Sequence, residues 1–204
     1  MAELPVPNQV VYVAEIPESL ESIDSERLLL RPIGLEDAAA ILAIRSRPEV
    51  AKNNHPKAPF KSLDDVHEWM ASKIYSQGPA ELLGRTFNFG ILDKSIPQSQ
   101  EQLIGYVGVN CLVPCPMLGY SLLPEAWGNG FATEALQLVI KKWWELPRRA
   151  ASDQTDGPER IYAICEKVNL GSSGVLRKCG FELVAEGFFE ADELQLWGLE
   201  KPPS

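Results

Sequence analysis

Histidine and cysteine are scarce in this sequence of 204 residues, which limits the metal and disulfide chemistry open to it. It has two histidines and four cysteines, and the cysteines show no regular spacing: Cys111, Cys115, Cys165 and Cys179. Cys111 and Cys115 supply at most part of a tetrahedral zinc site, and no second cysteine pair completes it. We therefore expect no metal and no disulfide framework. This favours a reducing, cytoplasmic compartment, with nuclear access left open.

Long apolar runs and an excess of basic residues are also missing. No apolar segment reaches the ~18 to 20 residues of a membrane span, and Met1 to Glu18 lacks the basic start and apolar run of a secretory signal. The net charge is -9, whereas nucleic acids and anionic membranes attract basic faces. We therefore expect no nucleic-acid or membrane partner. A cationic partner such as an amine would suit the acidic field, although the same field also serves solubility.

The chain has the length and the hydrophobic content, 45%, of one well-buried domain. Residues 1–24 are rich in proline and acid and form a lead-in, with one β-compatible run at Val10 to Val13. The later pattern predicts seven strands: Arg27 to Arg31, Phe87 to Ile91, Leu103 to Asn110, Met117 to Leu123, Arg160 to Cys165, Leu183 to Phe189 and Leu194 to Leu199. It also predicts four helices: Leu35 to Arg45, Ser62 to about Gln77, Phe131 to Trp144 and Leu170 to Lys178. This is an α/β (α+β) fold.

Two loops, one helix start, one helix face and one β-bulge can be predicted in more detail. The polar stretches Asp93 to Gln102 and Pro147 to Pro158 are expected to be loops. Ser62 with Asp65 three residues later is typical of a capping box. The first helix is expected to bury one face, formed by Leu35, Ala38, Ala39 and Leu42. Gly119 is a candidate β-bulge.

A glycine-bearing loop joins the strand that ends near Leu123 to the helix that begins near Phe131. Gly128 and Gly130 let the backbone turn sharply, and the first N–H groups of the helix favour an anion such as a pyrophosphate. Two glycines alone are also explained by the turn itself. The loop is neither a Walker motif nor a dinucleotide fingerprint, because the Gly-Lys-Ser/Thr ending and an early parallel β-α repeat are missing.

This loop resembles the motif Arg/Gln-x-x-Gly-x-Gly/Ala of the GNAT superfamily of N-acetyltransferases. Six residues occupy its places in order: Trp127, Gly128, Asn129, Gly130, Phe131 and Ala132. Trp127 departs from the usual Arg or Gln at the first position. A Trp at this position resembles the form of the motif in the branch of ribosomal-protein N-terminal acetyltransferases (RimJ/RimL-like). A second run, Asn169 to Phe181 with Ser172 and Gly180, resembles a later motif of that branch. The resemblance covers residues 25–199.

The resemblance implies a fold with a splayed parallel strand pair, here Met117 to Leu123 and Arg160 to Cys165, that admits the pantetheine arm of acetyl-CoA. It implies that backbone groups of Leu122 and Leu123 pair with pantetheine, while amides from Asn129 to Thr133 hold the pyrophosphate. The cofactor set it implies is Leu122, Leu123, Trp127, Gly128, Asn129, Gly130, Phe131, Ala132, Thr133, Asn169 and Ser172. Acetyl-CoA is the implied cosubstrate, without a metal.

Asn169 is equally well explained as a helix N-cap, but in the resemblance it contacts a pantetheine amide, and Ser172 assists departure of the thiolate. A main-chain N–H near Leu122 is the implied oxyanion donor. For the base we prefer Glu166, then Glu134, with Tyr120 acting through water. Both glutamates are also explained as solvated surface charges, and Cys179 as a packing residue.

The sequence therefore predicts an acetyl-CoA-dependent N-acetyltransferase that acts on a primary amine by direct attack in a ternary complex. A protein N-terminus and a small molecule remain open as acceptors, as do a monomer and a homodimer. One alternative is a non-catalytic module that keeps the fold and binds acetyl-CoA. A weaker alternative is transfer of a longer acyl chain.

Overall fold

The structure, a computed structural model, describes residues 2–7, 12–97, 102–150 and 158–203. Parts of three predicted segments fall outside these ranges: the β-compatible run Val10 to Val13, the loop Asp93 to Gln102 and the loop Pro147 to Pro158. Among the described residues, no helix is both long and apolar enough to cross a membrane.

One mixed sheet of eight strands forms the centre of the fold, in the order β2-β3-β4-β5-β6-β8-β10-β9. Its strands are β2 (Ile23–Asp24), β3 (Leu28–Pro32), β4 (Phe87–Asp93), β5 (Gly105–Cys111), β6 (Met117–Leu122), β8 (Arg160–Glu166), β9 (Glu182–Phe189) and β10 (Asp192–Glu200). Every neighbouring pair is antiparallel except β6 and β8. The seven predicted strands are all present, and the eighth is the short β2. A separate ribbon pairs β1 (Tyr12–Ala14) with β7 (Arg148–Ala150).

Helices cover both faces of the sheet: α1 (Ala38–Arg45), α2 (Pro48–Ala51), α3 (Leu63–Ala71), α4 (Phe131–Glu145) and α5 (Leu170–Lys178). Residues that alternate along a strand point to opposite faces. Phe89 and Ile91 accordingly pack in the core that contains α4 and α5, while Leu92 packs in the core beneath α1 and α3. The prediction of a single α/β domain is confirmed.

The predicted inner face of the first helix is partly wrong. Ala38 is buried and Leu42 packs against the core as expected, but Ala39 is exposed and Leu35 is 74% exposed. The buried residues of α1 are Ala38, Ile41, Ile44 and Arg45. Leu35 lies in a 3-10 turn, Leu35–Asp37, that precedes α1. A 3-10 turn has about three residues per turn, fewer than an α-helix. A row of apolar residues counted from Leu35 at α-helical spacing therefore does not fall on the buried face of α1.

Gly119 is not a bulge, contrary to expectation, since it pairs in regular register with Gly108. The register shifts between Val109 and Cys111 instead, so the extra residue is Asn110 on β5. A Cβ atom at Gly119 would come within 2.1 Å of the Asn110 side-chain amide. The glycine therefore makes room for the bulged strand beside it.

The lead-in contributes to the core of the domain. Ile16 is fully buried and packs with the residues around α4. Glu3 forms a parallel β-bridge to Phe188. The backbone of Leu4 lies so close to Gly187 that a Cβ atom on residue 187 would be 2.5 Å from the Leu4 Cα. Residues 2–4 therefore lie against the outer edge of β9.

Candidate functional site

The parallel strands β6 and β8 separate along their length. Only two residue pairs join them: Met117 with Tyr162 and Leu118 with Ala163. Beyond these pairs β6 continues to Leu122 and β8 to Glu166, each still paired with its outer neighbour, β5 or β10. A gap therefore opens between the carboxyl ends of the two strands, as the splayed pair of the fold prediction requires.

The Leu122 N–H points into this gap. The next amide, of Leu123, donates a 2.8 Å hydrogen bond to the Ile104 carbonyl on the opposite side of β6. Successive N–H groups along a strand alternate in direction, so that of Leu122 faces β8. The Leu122 carbonyl already accepts a 2.9 Å hydrogen bond from the Trp127 indole nitrogen. Leu122 therefore presents its N–H group, and not its carbonyl, to the gap. A hydrogen-bond donor at this point can stabilise a carbonyl oxygen that develops negative charge.

The glycine loop leads from this gap into α4. Gly128 and Gly130 have φ of 78° and 80°, in the left-handed region that glycine adopts without a Cβ penalty. Gly130 is the N-cap of α4 and provides no side-chain cap. The first amides of the helix, Phe131 to Thr133, therefore lack the partner that a capping side chain would supply, and the helix dipole adds positive potential there. This arrangement can hold a phosphate or pyrophosphate.

Arg27 and Glu134 brace the glycine loop. Arg27 donates a 3.0 Å hydrogen bond to the Asn129 carbonyl, lies 5.0 Å from the centre of the Phe131 ring and forms an ion pair with Glu134. Glu134 also accepts a 2.7 Å hydrogen bond from the Ser25 hydroxyl. Both carboxylate oxygens of Glu134 are thus bonded within the protein, which makes it a poor candidate for the base. Its position on the helix surface gave no sign of these distant partners.

Tyr120 and Ser172 approach each other from the two sides of the gap, one on β6 and the other in the first turn of α5. Asn169 is the N-cap of α5, and its side-chain oxygen accepts a 3.1 Å hydrogen bond from the Ser172 N–H, which fixes that turn. The Tyr120 hydroxyl is buried without a well-formed hydrogen bond to any described residue. Burial raises the pKa of Tyr120 well above its usual range, and the nearby Ser172 hydroxyl offsets this only in part. Tyr120 therefore stays protonated at neutral pH, so its hydroxyl can donate a hydrogen bond but is unsuited to remove a proton.

Glu166 is the last residue of β8, and its carboxylate forms an ion pair with the ammonium group of Lys57. The Lys57 Nζ atom lies 2.8 Å from a carboxylate oxygen of Glu166 and 2.6 Å from one of Asp192. Hydrogen bonds to Asp192 and then to Glu166 raise the pKa of Lys57. Sequence reasoning selected Glu166 but missed Lys57 and Asp192, which lie far from it in the chain.

The four cysteines are free thiols. Cys165 lies in the core with its sulfur 3.6 Å from the Ser173 hydroxyl, and Cys179 packs against the same core, where burial raises its pKa to about 11. Across the part of the chain that the structure describes, no group of His, Cys, Asp and Glu side chains could hold a metal ion. Nothing in these thiols suggests a nucleophile.

Comparison with known proteins agrees with this geometry. YoaA, an uncharacterised N-acetyltransferase of Bacillus subtilis strain 168, is 28% identical over 165 residues, which cover 78% of this chain and 82% of YoaA. A GNAT-family acetyltransferase from Bacillus anthracis shares the fold with a TM-score of 0.65 at 20% identity, over 89% of this chain and 99% of that one.

A second solved structure is RimL, a ribosomal-protein alpha-N-acetyltransferase in complex with coenzyme A. The two structures match with a TM-score of 0.65 at 17% identity, over 88% of this chain and 98% of the RimL chain. The family model of the acetyltransferase (GNAT) domain matches residues 27–182, well over half of the chain. This chain is therefore a member of the GNAT acetyltransferase family.

Proposed function

We propose that this acetyltransferase moves the acetyl group of acetyl-CoA to a primary amine by direct attack in a ternary complex. The observation that carries the proposal is the gap between β6 and β8, which lies next to the uncapped start of α4. A strand gap with inward-facing backbone groups fits the amide-bearing pantetheine arm. The glycine loop beside it fits the pyrophosphate of the same molecule.

The cofactor contacts are mostly main-chain contacts in this proposal. Amides from Asn129 to Thr133 hold the pyrophosphate, with Gly128 and Gly130 supplying the turn that exposes them. Leu122 and Leu123 line the gap on the β6 side, and Asn169 borders it from α5. The Leu122 carbonyl already accepts a hydrogen bond from the Trp127 indole, so the group of Leu122 that remains for the cofactor is its N–H.

The chemistry requires a neutral amine, a donor for the oxyanion and a proton for the departing thiolate. The Leu122 N–H is the proposed oxyanion donor. The Tyr120 and Ser172 hydroxyls stabilise the departing thiolate by donating hydrogen bonds, because the Tyr120 hydroxyl stays protonated at neutral pH. The thiolate then takes its proton from solvent. The nitrogen that attacks forms a bond to the thioester carbon, the carbon–sulfur bond breaks, and the extra proton on nitrogen leaves through solvent or Glu166.

The acceptor is proposed to be a cationic amine, either a protein N-terminus or a small molecule. The net charge of -9 and the carboxylates of Glu166 and Asp192 at the gap support this class. RimL acts on a ribosomal protein, but a likeness at 17% identity extends only to the fold.

The test is release of free thiol from acetyl-CoA in the presence of acceptor panels: N-terminal peptides, amino acids, polyamines and aminoglycosides. Calorimetric titration with acetyl-CoA runs in parallel. We expect saturable cofactor binding and thiol release with at least one cationic acceptor. Binding without release for any amine would overturn the proposed acceptor class, and absence of binding would overturn the proposed site.

A further inference from the structure

The segment between α2 and α3, residues 52–60, crosses the gap between β6 and β8. We call it the strap. At one end the Asn54 side-chain oxygen accepts a 2.9 Å hydrogen bond from the hydroxyl of Ser121, near the end of β6. Three residues later, Lys57 pairs with Glu166 at the end of β8 and with Asp192 at the start of β10. The strap therefore bridges the two strand ends that the splay has separated.

The strap lies on the face of the sheet opposite to α4. Ala163 and Cys165 on β8 are buried in the core that contains α4 and α5. Because side chains alternate along a strand, Glu166 points to the other face. An amine that enters from the strap face would reach the gap without passing the glycine loop. The strap thus covers the side from which an acceptor can approach while the cofactor is bound.

The Lys57 ammonium shows which chemistry the strap face accepts. Two carboxylates from different elements converge on one alkylammonium group, at 2.8 Å and 2.6 Å. The Lys57 side chain remains 42% exposed, so the contact is open to competition from solvent and solutes. Ion pairs of this exposure contribute little to folding, which makes Lys57 easy to displace.

We propose that Lys57 is a latch for the strap, and that the acceptor binds by placing a second cationic group, separate from its attacking amine, where the Lys57 ammonium lies between Glu166 and Asp192. This inference rests on the proposed function, since it assigns the acceptor site of the same reaction. When the acceptor leaves, Lys57 returns to the two carboxylates and closes the strap. Lys57, Glu166 and Asp192 thereby select for acceptors that carry a positive charge.

The test uses putrescine as the probe, titrated calorimetrically into the full-length protein at neutral pH. Replacing Lys57 by Met keeps the length of the side chain and frees both carboxylates. We expect Lys57→Met to bind putrescine about fivefold more tightly than the unaltered protein, because the probe no longer competes with an internal cation. In the double variant Lys57→Met with Asp192→Asn, this gain should disappear.

Lys167 provides a matched control. It follows Glu166 in the chain, is 43% exposed and pairs with two other carboxylates, Glu193 at 2.7 Å and Glu186 at 3.4 Å. Lys167→Met changes the net charge equally and should alter putrescine affinity less than about twofold. An equal gain in both variants would mean that general charge is responsible and would overturn the latch, as would no gain in Lys57→Met. Lys57→Gln repeats the test should the Met variant fail to fold.

Acetyl-CoA titration separates this inference from the proposed function. If acetyl-CoA binds normally and Lys57→Met leaves putrescine affinity unchanged, only the latch is refuted. If acetyl-CoA does not bind to the unaltered protein, the proposed function fails, whatever putrescine does.

Discussion

The Trp127 indole donates a 2.9 Å hydrogen bond to the carbonyl of Leu122. This bond ties the glycine loop to the last residue of β6, although the Trp127 ring itself is 46% exposed. The Leu123 amide of the same peptide unit donates to Ile104 on the other side. The peptide that follows Leu122 is therefore held on both sides, and this fixes the proposed oxyanion donor relative to the loop proposed to hold the pyrophosphate.

We predict that Trp127→Phe weakens acetyl-CoA binding. The change keeps most of the ring but removes the donor, at a cost of about 0.5–1.5 kcal/mol, or roughly two- to tenfold in the Kd for acetyl-CoA. Calorimetric titration measures it. Trp144→Phe, in the part of α4 far from the loop, is the control and should leave the Kd unaltered. Equal affinity of Trp127→Phe and the unaltered protein would show that the indole bond does not position the loop.

The conformation of Gly130 yields a second prediction. A Cβ atom there would meet nothing closer than the Arg27 guanidinium at 3.6 Å, so the cost of Gly130→Ala comes from its φ of 80°. We expect a loss of about 1–2 kcal/mol in the free energy of unfolding. Gly130→Asp should in addition abolish measurable acetyl-CoA binding, because a carboxylate would repel the pyrophosphate. Denaturant unfolding and titration measure the two effects.

Gly174 is the matched control for Gly130. It lies inside α5 without a positive φ, and a Cβ atom there has open space. Gly174→Ala should stabilise the protein by roughly 0.5–1 kcal/mol, the opposite sign. Destabilisation of equal size at both positions would contradict the argument from φ.

Local signals in the sequence predicted much of this fold. The bounds of α5, Leu170–Lys178, are those expected, and α4 ends one residue beyond its predicted end. The capping box of α3 is present, with Ser62 and Asp65 bonded to each other's backbone amides. Capping pairs, glycine turns and helical periodicity act within a few residues, so they can be read from the chain directly.

Contacts between distant segments were not predictable in the same way. Glu134 pairs with Arg27, and Glu166 with Lys57, across more than a hundred residues of chain. Charge patterns along one helix or strand carry no record of such partners, so both glutamates resembled solvated surface charges. For the same reason, the sequence did not show that Lys57 of the strap lies beside Glu166 and Asp192.

Ser172 is predicted to act on turnover more than on stability. Its N–H keeps the bond to Asn169 in Ser172→Ala, so the helix cap survives. We expect kcat to fall at least about tenfold with the Kd for acetyl-CoA changed little, because only the hydroxyl beside Tyr120 is lost. Thiol-release kinetics with the best acceptor measures kcat.

The neighbouring Ser173 separates a chemical role from a structural one. Its hydroxyl is buried and donates a 3.2 Å hydrogen bond to the Gln195 side chain. Ser173→Ala should cost about 1 kcal/mol of stability and leave kcat within a factor of about two. Should Ser172→Ala keep full kcat, the proposed role of its hydroxyl in the departure of the thiolate would be excluded.

The cysteines yield a prediction about reactivity and pH. Burial raises the pKa of Cys115 to about 12 and that of Cys179 to about 11, and it also raises the pKa of Cys111 and Cys165. Since the thiolate is the reactive form, a disulfide reagent at pH 7.5 should label the native protein far more slowly than free coenzyme A. In guanidinium chloride all four thiols should react. Fast labelling of the native protein would contradict the burial of these thiols.

The same raised pKa values set a pH limit on stability. Each thiol has a higher pKa in the folded chain than the value of about 8.5 expected when unfolded. For Cys179 and Cys115, the contribution to the free energy of unfolding is fully present below pH ~8.5 and is lost as pH rises through about 11 to 12, because unfolding then releases protons. Denaturant midpoints between pH 7 and about 10 should therefore decline. Replacing Cys179, whose pKa is lower than that of Cys115, by Ala should make that decline shallower, whereas an unchanged slope would assign the decline to other groups.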